Sequence, residues 1–230
     1  MRREFITNAA HELRTPLTNL MGYLEALRDG VIPADQAAYE SLLEEAERLV
    51  RLARSLDTLT EVERPPADQP VEVDLTTLIR AAVELAQPGM RTAGLGTQVR
   101  VPQHLPARGD PDTLAQVLGN LLQNATRYTP SGGRVTITGE RRPGDVLVSV
   151  TNTGSGIPAE DLPHLFERFY RVEKSRDAAR GGAGIGLAIV RQIVEAGGGR
   201  VGVESRDGLT RFWFSVPDSR ARSGEVPAGR

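Results

Sequence analysis

The stretch DPDTLAQVLGNLLQNATRY, residues 110–128, decides how the second half of the chain folds. Its apolar residues recur at steps of three and four, which predicts an amphipathic helix. Asn120 and Asn124 are four residues apart and share one face of that helix, with Arg127 and Tyr128 one turn further on. Such a face is either a solvated helix surface or one side of a binding site.

The segments around this helix predict a mixed sheet. VEVDLTTLIRAAVELA (71–86) has the pattern of a strand that enters a helix, with Asp74 as the N-cap. Alternating or short apolar runs predict further strands at TQVRV (97–101), RVTITGE (134–140), DVLVSVTN (145–152), GRVGVES (199–205) and TRFWFSVP (210–217), and IGLAIVRQIVEAGGG (185–199) a helix that ends at glycine. We therefore expect an α+β arrangement with the helices on one face of the sheet.

The first part of the chain has a different pattern. Two helical stretches with heptad-like apolar stripes flank RDGVIPADQ (28–36), which predicts a helical hairpin. The prolines of ERPPADQP (63–70) mark a linker. The expected domains are a hairpin at 1–63, a linker at 64–70, a mixed α/β domain at 71–217 and a disordered tail at 218–230.

Two narrow apolar seams give the hairpin a thin core. Pairing two hairpins into a four-helix bundle would bury both seams, so we expect a homodimer through residues 1–63. The alternative is that the hairpin packs on its own second domain.

The composition fits a globular protein, with 39% hydrophobic and 25% charged residues. A net charge of −2 gives no reason to expect a nucleic acid partner. The absence of cysteine excludes disulfides and thiolate metal sites and fits a reducing compartment. No stretch approaches the about 20 apolar residues of a membrane span, so we expect no membrane segment in this chain.

A histidine lies in the first helical pattern, within AAHELRTPLTNL (9–20). The helical period places His11 roughly 160° from the apolar seam, with Thr15 one turn further on the same face. The carboxylate of Glu12 can hold the proton of one ring nitrogen while the other nitrogen attacks. Alone, such a histidine could be an inert surface residue. Pro16 loosens the helix beside it at a cost of about 3 kcal/mol, and this favours a functional role.

Two glycine-rich stretches predict contact with a ligand. NTGSGIP (152–158) follows a strand, and its glycines allow the backbone to approach a ligand while the Asn152 oxygen accepts from an adenine amine. GGAGIGLAIV (181–190) enters a helix N-terminus, which favours an anion, although it matches neither a Walker loop nor a dinucleotide fingerprint. Each alone could be an ordinary turn. LFERFYRVEKSRDAARGG (165–182) between them has the length and charge of a lid.

Taken together, these stretches resemble the sequence boxes of sensor histidine kinases of bacterial two-component signalling. FITNAAHELRTPL resembles the H box, QVLGNLLQNATRYTP the N box, VTNTGSGIP the G1 box, LFERFYRV the F box and GGAGIGLAIV the G2 box. The resemblance covers about residues 4–217, and five boxes in this order behind a helical hairpin are highly specific.

The resemblance implies a dimeric four-helix bundle followed by a Bergerat-type ATP-binding α/β sandwich. It implies autophosphorylation of His11 from ATP with Mg²⁺, transfer to an aspartate of a response regulator receiver domain, and phosphatase activity toward that partner as a hypothesis. The implied catalytic residues are His11, Glu12, Thr15 and Arg171. The implied nucleotide-binding residues are Asn120, Asn124, Arg127, Tyr128, Asn152, Gly154, Gly156, Gly182, Gly184, Gly186 and Leu187, with Asn120 and Asn124 also holding the metal.

One residue departs from the family pattern, because Asn152 stands where the G1 box usually has aspartate. A neutral hydrogen bond then replaces a charge-assisted one, at a loss of about 1 kcal/mol, and we expect weaker ATP binding. Asn152 also supports an alternative, a degenerate kinase that acts as a dimeric scaffold for a regulator. A chaperone or topoisomerase ATPase is a third reading, which the HELRTPL hairpin opposes.

The chain starts ten residues before His11, so we expect it to be the cytoplasmic portion of a larger, membrane-anchored protein.

Overall fold

The computed structural model describes residues 2–61, 71–172 and 184–219. Its first unit is a hairpin of two long helices, α1 (Arg2–Arg28) and α2 (Gln36–Glu61). α1 runs through Pro16 without a break. Gly30 turns the chain with a φ of +67°, a left-handed conformation that glycine adopts without strain. The predicted helical hairpin is therefore confirmed.

The second unit alternates strands and helices. Its elements are β1 (Val71–Asp74), α3 (Leu75–Thr92), β2 (Gly96–Arg100), β3 (Pro106–Gly109), α4 (Pro111–Tyr128), β4 (Arg134–Arg142), β5 (Asp145–Thr153), a 3₁₀ turn (Leu162–His164), α5 (Gly186–Ala196), β6 (Arg200–Arg206) and β7 (Leu209–Pro217). Asp74 caps α3 by accepting from the Thr76 N–H at 3.0 Å, and Asp110 caps α4 in the same way. The predicted cap at Asp74 and the predicted helices and strands are present, whereas the cap at Asp110 was not predicted.

The main sheet is mixed and has the strand order β2-β4-β5-β7-β6. β2 and β4 run parallel, while β4, β5, β7 and β6 pair antiparallel in turn. The inward residues of β5 and β7 are buried opposite one another, as Val148 is opposite Phe214. Since α3, α4 and α5 supply the other half of this core, the helices lie on one face of the sheet, as expected.

A second, two-stranded sheet was not expected from the sequence. β3 pairs antiparallel with β1, and Ala107 of β3 also bridges to Asp218. Only four residues long and beginning with proline, β3 lacks the alternation that predicts a strand. Its central Ala107 is nevertheless fully buried, which ties both ends of the second unit to one short strand.

The hairpin contacts its own second unit. α2 lies against α5, and Leu52 of α2 is buried in the same apolar cluster as Ile185. The alternative weighed for the hairpin therefore occurs, without excluding a dimer.

The whole of the predicted linker (64–70), most of the predicted tail and residues 173–182 of the expected lid lie outside the described residues. The domain boundaries stay a prediction. None of the described helices has the length and apolar character needed to cross a membrane.

Candidate functional site

The candidate site is built around one polar edge of α4. The apolar residues of this helix, such as Leu118 and Leu121, are buried against the sheet and α5. Asn120, Asn124 and Arg127 are consequently half-buried at the boundary of the core. At a rise of about 1.5 Å per residue, Asn120 and Tyr128 are separated by about 12 Å along the helix axis.

One end of this edge meets the start of α5. A Cβ placed on Gly186 would lie 3.4 Å from Asn120 Oδ1, so the backbone at the start of α5 packs directly on the Asn120 amide. Among the described residues, Asn120 Nδ2 is buried and has no hydrogen-bond partner. A buried donor without a partner costs about 1–3 kcal/mol, which indicates that a ligand completes this end of the site.

The other end of the edge meets the loop after β5. A Cβ on Gly154 would lie 3.3 Å from the Tyr128 carbonyl oxygen and 3.7 Å from Asn152 Nδ2. Glycine at this position therefore lets the loop pass close to both residues. Tyr128 is 46% exposed, so its ring is available to a planar ligand.

Asn152 lies on β5 and faces the core, where it is 5% exposed. Its Nδ2 donates to the carbonyl oxygen of Thr153 at 3.3 Å. This bond occupies one donor of the side-chain amide and leaves Oδ1 to accept from a ligand amine.

Two residues that the sequence analysis missed anchor the same loop. Ser205 Oγ accepts from the Ile157 N–H at 2.8 Å and lies 3.0 Å from Thr210 Oγ1. Thr210 is buried and is paired with Asn152 in the sheet register. A hydroxyl on the inward face of the apolar strand β7 was the signal that could have identified it.

The predicted F box and G2 box meet through their backbones. The Phe169 N–H donates to the Gly184 carbonyl oxygen at 2.9 Å. Gly184 has a φ of +65°, and a Cβ there would lie 2.8 Å from the Tyr170 carbonyl oxygen. A residue larger than glycine would be strained by the positive φ at position 184, and its Cβ would collide with the backbone of Tyr170.

The other predicted residues are placed as follows. Gly156 turns the loop after β5 with a φ of +80°, and Leu187 packs against the apolar core. Arg171 is half-buried, and it forms no ion pair with any of the described residues. Gly182 lies outside the described residues.

The predicted phosphoacceptor region lies on α1, in the hairpin. His11 and Glu12 are helical, but their side chains lie outside the described residues. Thr15 is exposed one helical turn beyond His11.

The residues at the two ends of the polar edge of α4 fit a purine nucleotide with its metal. Tyr128, Gly154 and Asn152 offer a stacking face and an acceptor for a base amine at one end. Asn120 and the backbone at the start of α5 offer amide and helix N-terminal groups at the other end, which suit phosphate and a hard cation. The unpaired Asn120 amide is the observation that supports this fit.

Comparisons with known families agree with this geometry. Residues 1–65 match the family model for the His Kinase A (phospho-acceptor) domain, and residues 109–220 match that for the histidine kinase-, DNA gyrase B- and HSP90-like ATPase. The chain belongs to the sensor histidine kinase family, and its ATPase domain indicates ATP as the nucleotide.

Individual relatives support the same assignment. The signal transduction histidine-protein kinase BaeS of Escherichia coli (strain K12) is 41% identical over 202 residues, which cover 87% of this chain and 43% of BaeS. The structure of the histidine kinase AdeS of Acinetobacter baumannii has a TM-score of 0.77 at 28% identity and covers 91% of this chain and 98% of that one. The histidine kinase ThkA, solved in complex with the response regulator protein TrrA, has a TM-score of 0.78 at 26% identity. The match covers 94% of this chain and 61% of the ThkA chain. The chain thus spans less than half the length of BaeS.

Proposed function

We propose that this chain is the kinase core of a sensor histidine kinase, which transfers the γ-phosphoryl group of ATP to His11 and then to an aspartate of a response regulator. The observation that carries the proposal is the buried, unpaired Asn120 amide against the start of α5, at the far end of the same helix edge from Tyr128 and Asn152. This edge orients ATP with its base at Asn152 and its phosphates at Asn120.

In the first step, one ring nitrogen of His11 attacks the γ-phosphorus. A nitrogen–phosphorus bond forms as the bond from the γ-phosphorus to the bridging oxygen breaks, and ADP leaves. Glu12 holds the proton of the other ring nitrogen and stabilises the positive charge that develops on the imidazole. Positioning and charge neutralisation supply most of the rate, with Arg171 and Arg127 as the candidate cations for the phosphates.

Asn120 and Asn124 are the residues that would hold Mg²⁺, directly or through water, because amide oxygens suit a hard cation. Bound there, Mg²⁺ would neutralise phosphate charge. Asn120 meanwhile orients the phosphates toward the start of α5.

The proposed active species is a homodimer through residues 1–63. On α1, Leu17, Met21 and Leu24 recur at steps of four and three and are each about half exposed, at 49%, 52% and 49%. Leu43 and Val50 of α2 are also exposed, at 60% and 50%. A second hairpin would cover these side chains and complete a four-helix bundle. A monomer in light scattering at micromolar concentration would contradict this assembly.

The proposed partner is a response regulator receiver domain, which docks on the hairpin around His11. The ThkA–TrrA complex supports a partner of this kind. Thr15, exposed one turn from His11, is proposed to act in dephosphorylation of the same partner. A cytoplasmic location would give the chain access to ATP and to its regulator, and we propose a membrane-anchored parent protein.

The test is incubation with γ-labelled ATP and Mg²⁺, comparing the native chain with His11→Ala. We expect label that is labile in acid, stable in alkali and absent from the variant. Equal labelling of both chains would overturn His11 as the acceptor. ATP binding by a native chain that takes up no label would favour the scaffold alternative instead.

A further inference from the structure

The hydroxyl of Tyr170 connects two loops of the candidate site. It donates to Asp161 Oδ1 at 2.5 Å. Both residues are half-buried, and the Tyr170 ring packs against the apolar core and lies 5.4 Å from the His164 ring. The hydrogen bond to Asp161, followed by burial, raises the pKa of Tyr170 to about 12. The hydroxyl therefore stays protonated and remains a donor at any physiological pH.

Asp161 lies at the end of the loop after β5, directly before the 3₁₀ turn that begins at Leu162. Its N–H donates to the Pro158 carbonyl oxygen at 3.0 Å, and its own carbonyl accepts from the His164 N–H at 3.0 Å. Ile157, which directly precedes Pro158, donates its N–H to Ser205 Oγ. Asp161 is thus hydrogen-bonded within the loop that follows Asn152 and contains Gly154, so the carboxylate that accepts from Tyr170 is held in place.

The backbone of Tyr170 lies against the opposite loop. Its carbonyl oxygen fills the space beside Gly184, and the preceding Phe169 N–H donates to the Gly184 carbonyl. Phe169 has a φ of +65°, a conformation that is strained for a residue with a Cβ and that persists only when its surroundings hold it. The next residue, Tyr170, can supply this restraint because its side chain is hydrogen-bonded to Asp161.

We propose that the Asp161–Tyr170 hydrogen bond positions the entry of the glycine loop into α5. The hydrogen bond fixes Tyr170 and so stabilises the left-handed backbone of Phe169. The Phe169 N–H in turn binds the carbonyl oxygen of Gly184, two residues before Gly186. Gly186 packs on Asn120, so the bond links the base end of the pocket to its phosphate end. Tyr170 and Asp161 act here as positioning residues and do not touch the reacting atoms.

This inference rests on the proposed function only in assigning ATP to the pocket, so its test uses ATP binding and not labelling of His11. Tyr170→Phe keeps the ring and removes the hydroxyl. Asp161→Asn keeps an acceptor oxygen, whereas Asp161→Ala removes it. Thr92→Val removes a different hydroxyl, which donates to the Pro88 carbonyl far along α3, and is the matched control.

We expect Tyr170→Phe and Asp161→Ala each to weaken equilibrium binding of a fluorescent ATP analogue by about tenfold, the loss of one hydrogen bond. The double variant should lose no more than either single one, and Asp161→Asn should retain most of the affinity. Thr92→Val should bind as the native chain does, and all variants should keep the native circular dichroism spectrum. Native affinity in Tyr170→Phe, additive losses in the double variant, or an equal loss in Thr92→Val would each overturn the proposal.

If the native chain binds ATP but does not label His11, the proposed kinase function fails while this inference is still decided by the binding series.

Discussion

The carbonyl oxygen of Ser215 occupies the space where a Cβ of residue 199 would lie, so only glycine fits between the end of α5 and β7. The conflict is with backbone and not with the far end of a flexible side chain. Gly199 therefore lies where the chain that leaves α5 contacts the backbone of β7.

Gly199→Ala should destabilise the protein by about 1–3 kcal/mol, because the added carbon forces a shift of β7. The check is the free energy of unfolding from urea titration. Gly119→Ala is the matched control, since Gly119 is exposed on α4 and a Cβ added there would meet open space. That control should gain about 0.5–1 kcal/mol from helix propensity. Equal stability of the two variants would contradict this explanation.

Asn152→Asp should tighten ATP binding several-fold, because a charge-assisted bond of about 1 kcal/mol more would meet the adenine amine. The same change should destabilise the free protein, since aspartate has no N–H to give to the Thr153 carbonyl oxygen. Isothermal titration and thermal unfolding measure the two effects. Ser155→Asp adds the same charge at an exposed position of the loop and should not tighten binding. Unchanged affinity in Asn152→Asp would show that the amide is not at the base.

Asn120→Ala should remove most of the gain in ATP affinity that Mg²⁺ provides, because it deletes the amide that faces the start of α5. Affinities are compared with Mg²⁺ and with the metal removed by chelation. Gln123→Ala, at an exposed position of the same helix, should keep the full effect of the metal. An Mg²⁺ effect of native size in Asn120→Ala would remove this residue from the metal site.

Thr15→Ala should slow dephosphorylation of the phosphorylated regulator by about tenfold, the loss of one hydrogen bond in the transition state. Labelling of His11 should continue in this variant. The measurement is release of phosphate from a labelled regulator, with Thr18→Ala, also exposed on α1, as the control. Dephosphorylation at the native rate would end the proposed role of Thr15.

The free energy of unfolding should fall in acid as the carboxylate of Asp74 becomes protonated. Burial alone raises the pKa of this carboxyl, but hydrogen bonds from the Leu105 N–H, His104 and the Thr76 N–H outweigh it and lower the pKa below its usual 3.8. A lowered pKa in the folded state means that the carboxylate stabilises the fold above the usual value and that this stability is lost as the pH falls through the lowered one.

Asp74→Ala should therefore cost about 1 kcal/mol at neutral pH, the usual loss of an N-cap, and progressively less in acid. Urea unfolding over a pH series measures the difference between the two chains. Glu84→Ala, at an exposed site on the same helix, should show no such convergence. A difference that stays constant with pH would show that the Asp74 charge is not responsible.

Much of the fold could be predicted because it rests on local patterns. The helical periods of α1, α2, α4 and α5, the cap at Asp74 and the alternation of β4 and β5 can all be recognised in short windows of sequence. β3 could not be predicted, because its four residues owe their strand conformation to β1 and Asp218 and not to their own propensity.

The candidate site divides in the same way. Asn120, Asn124 and Asn152 could be identified because their spacing or position beside glycine is unusual for a surface. The contact of Phe169 with Gly184 joins backbone groups, which leave no side-chain pattern in the sequence. The pairing of Tyr170 with Asp161 is likewise a product of the chain path between them.

The short strand β3 has a consequence for how this domain can be reused. Val73 pairs with Ala107 on one side while Asp218 bridges to Ala107 on the other, so β1 and Asp218 lie at neighbouring points of the second unit. A unit whose entry and exit adjoin can be spliced into another protein, or cut open elsewhere and rejoined at these ends, with little distortion of its interior. The first and last described strand residues of the second unit thus lie close together, as transfer of this unit into another protein would require.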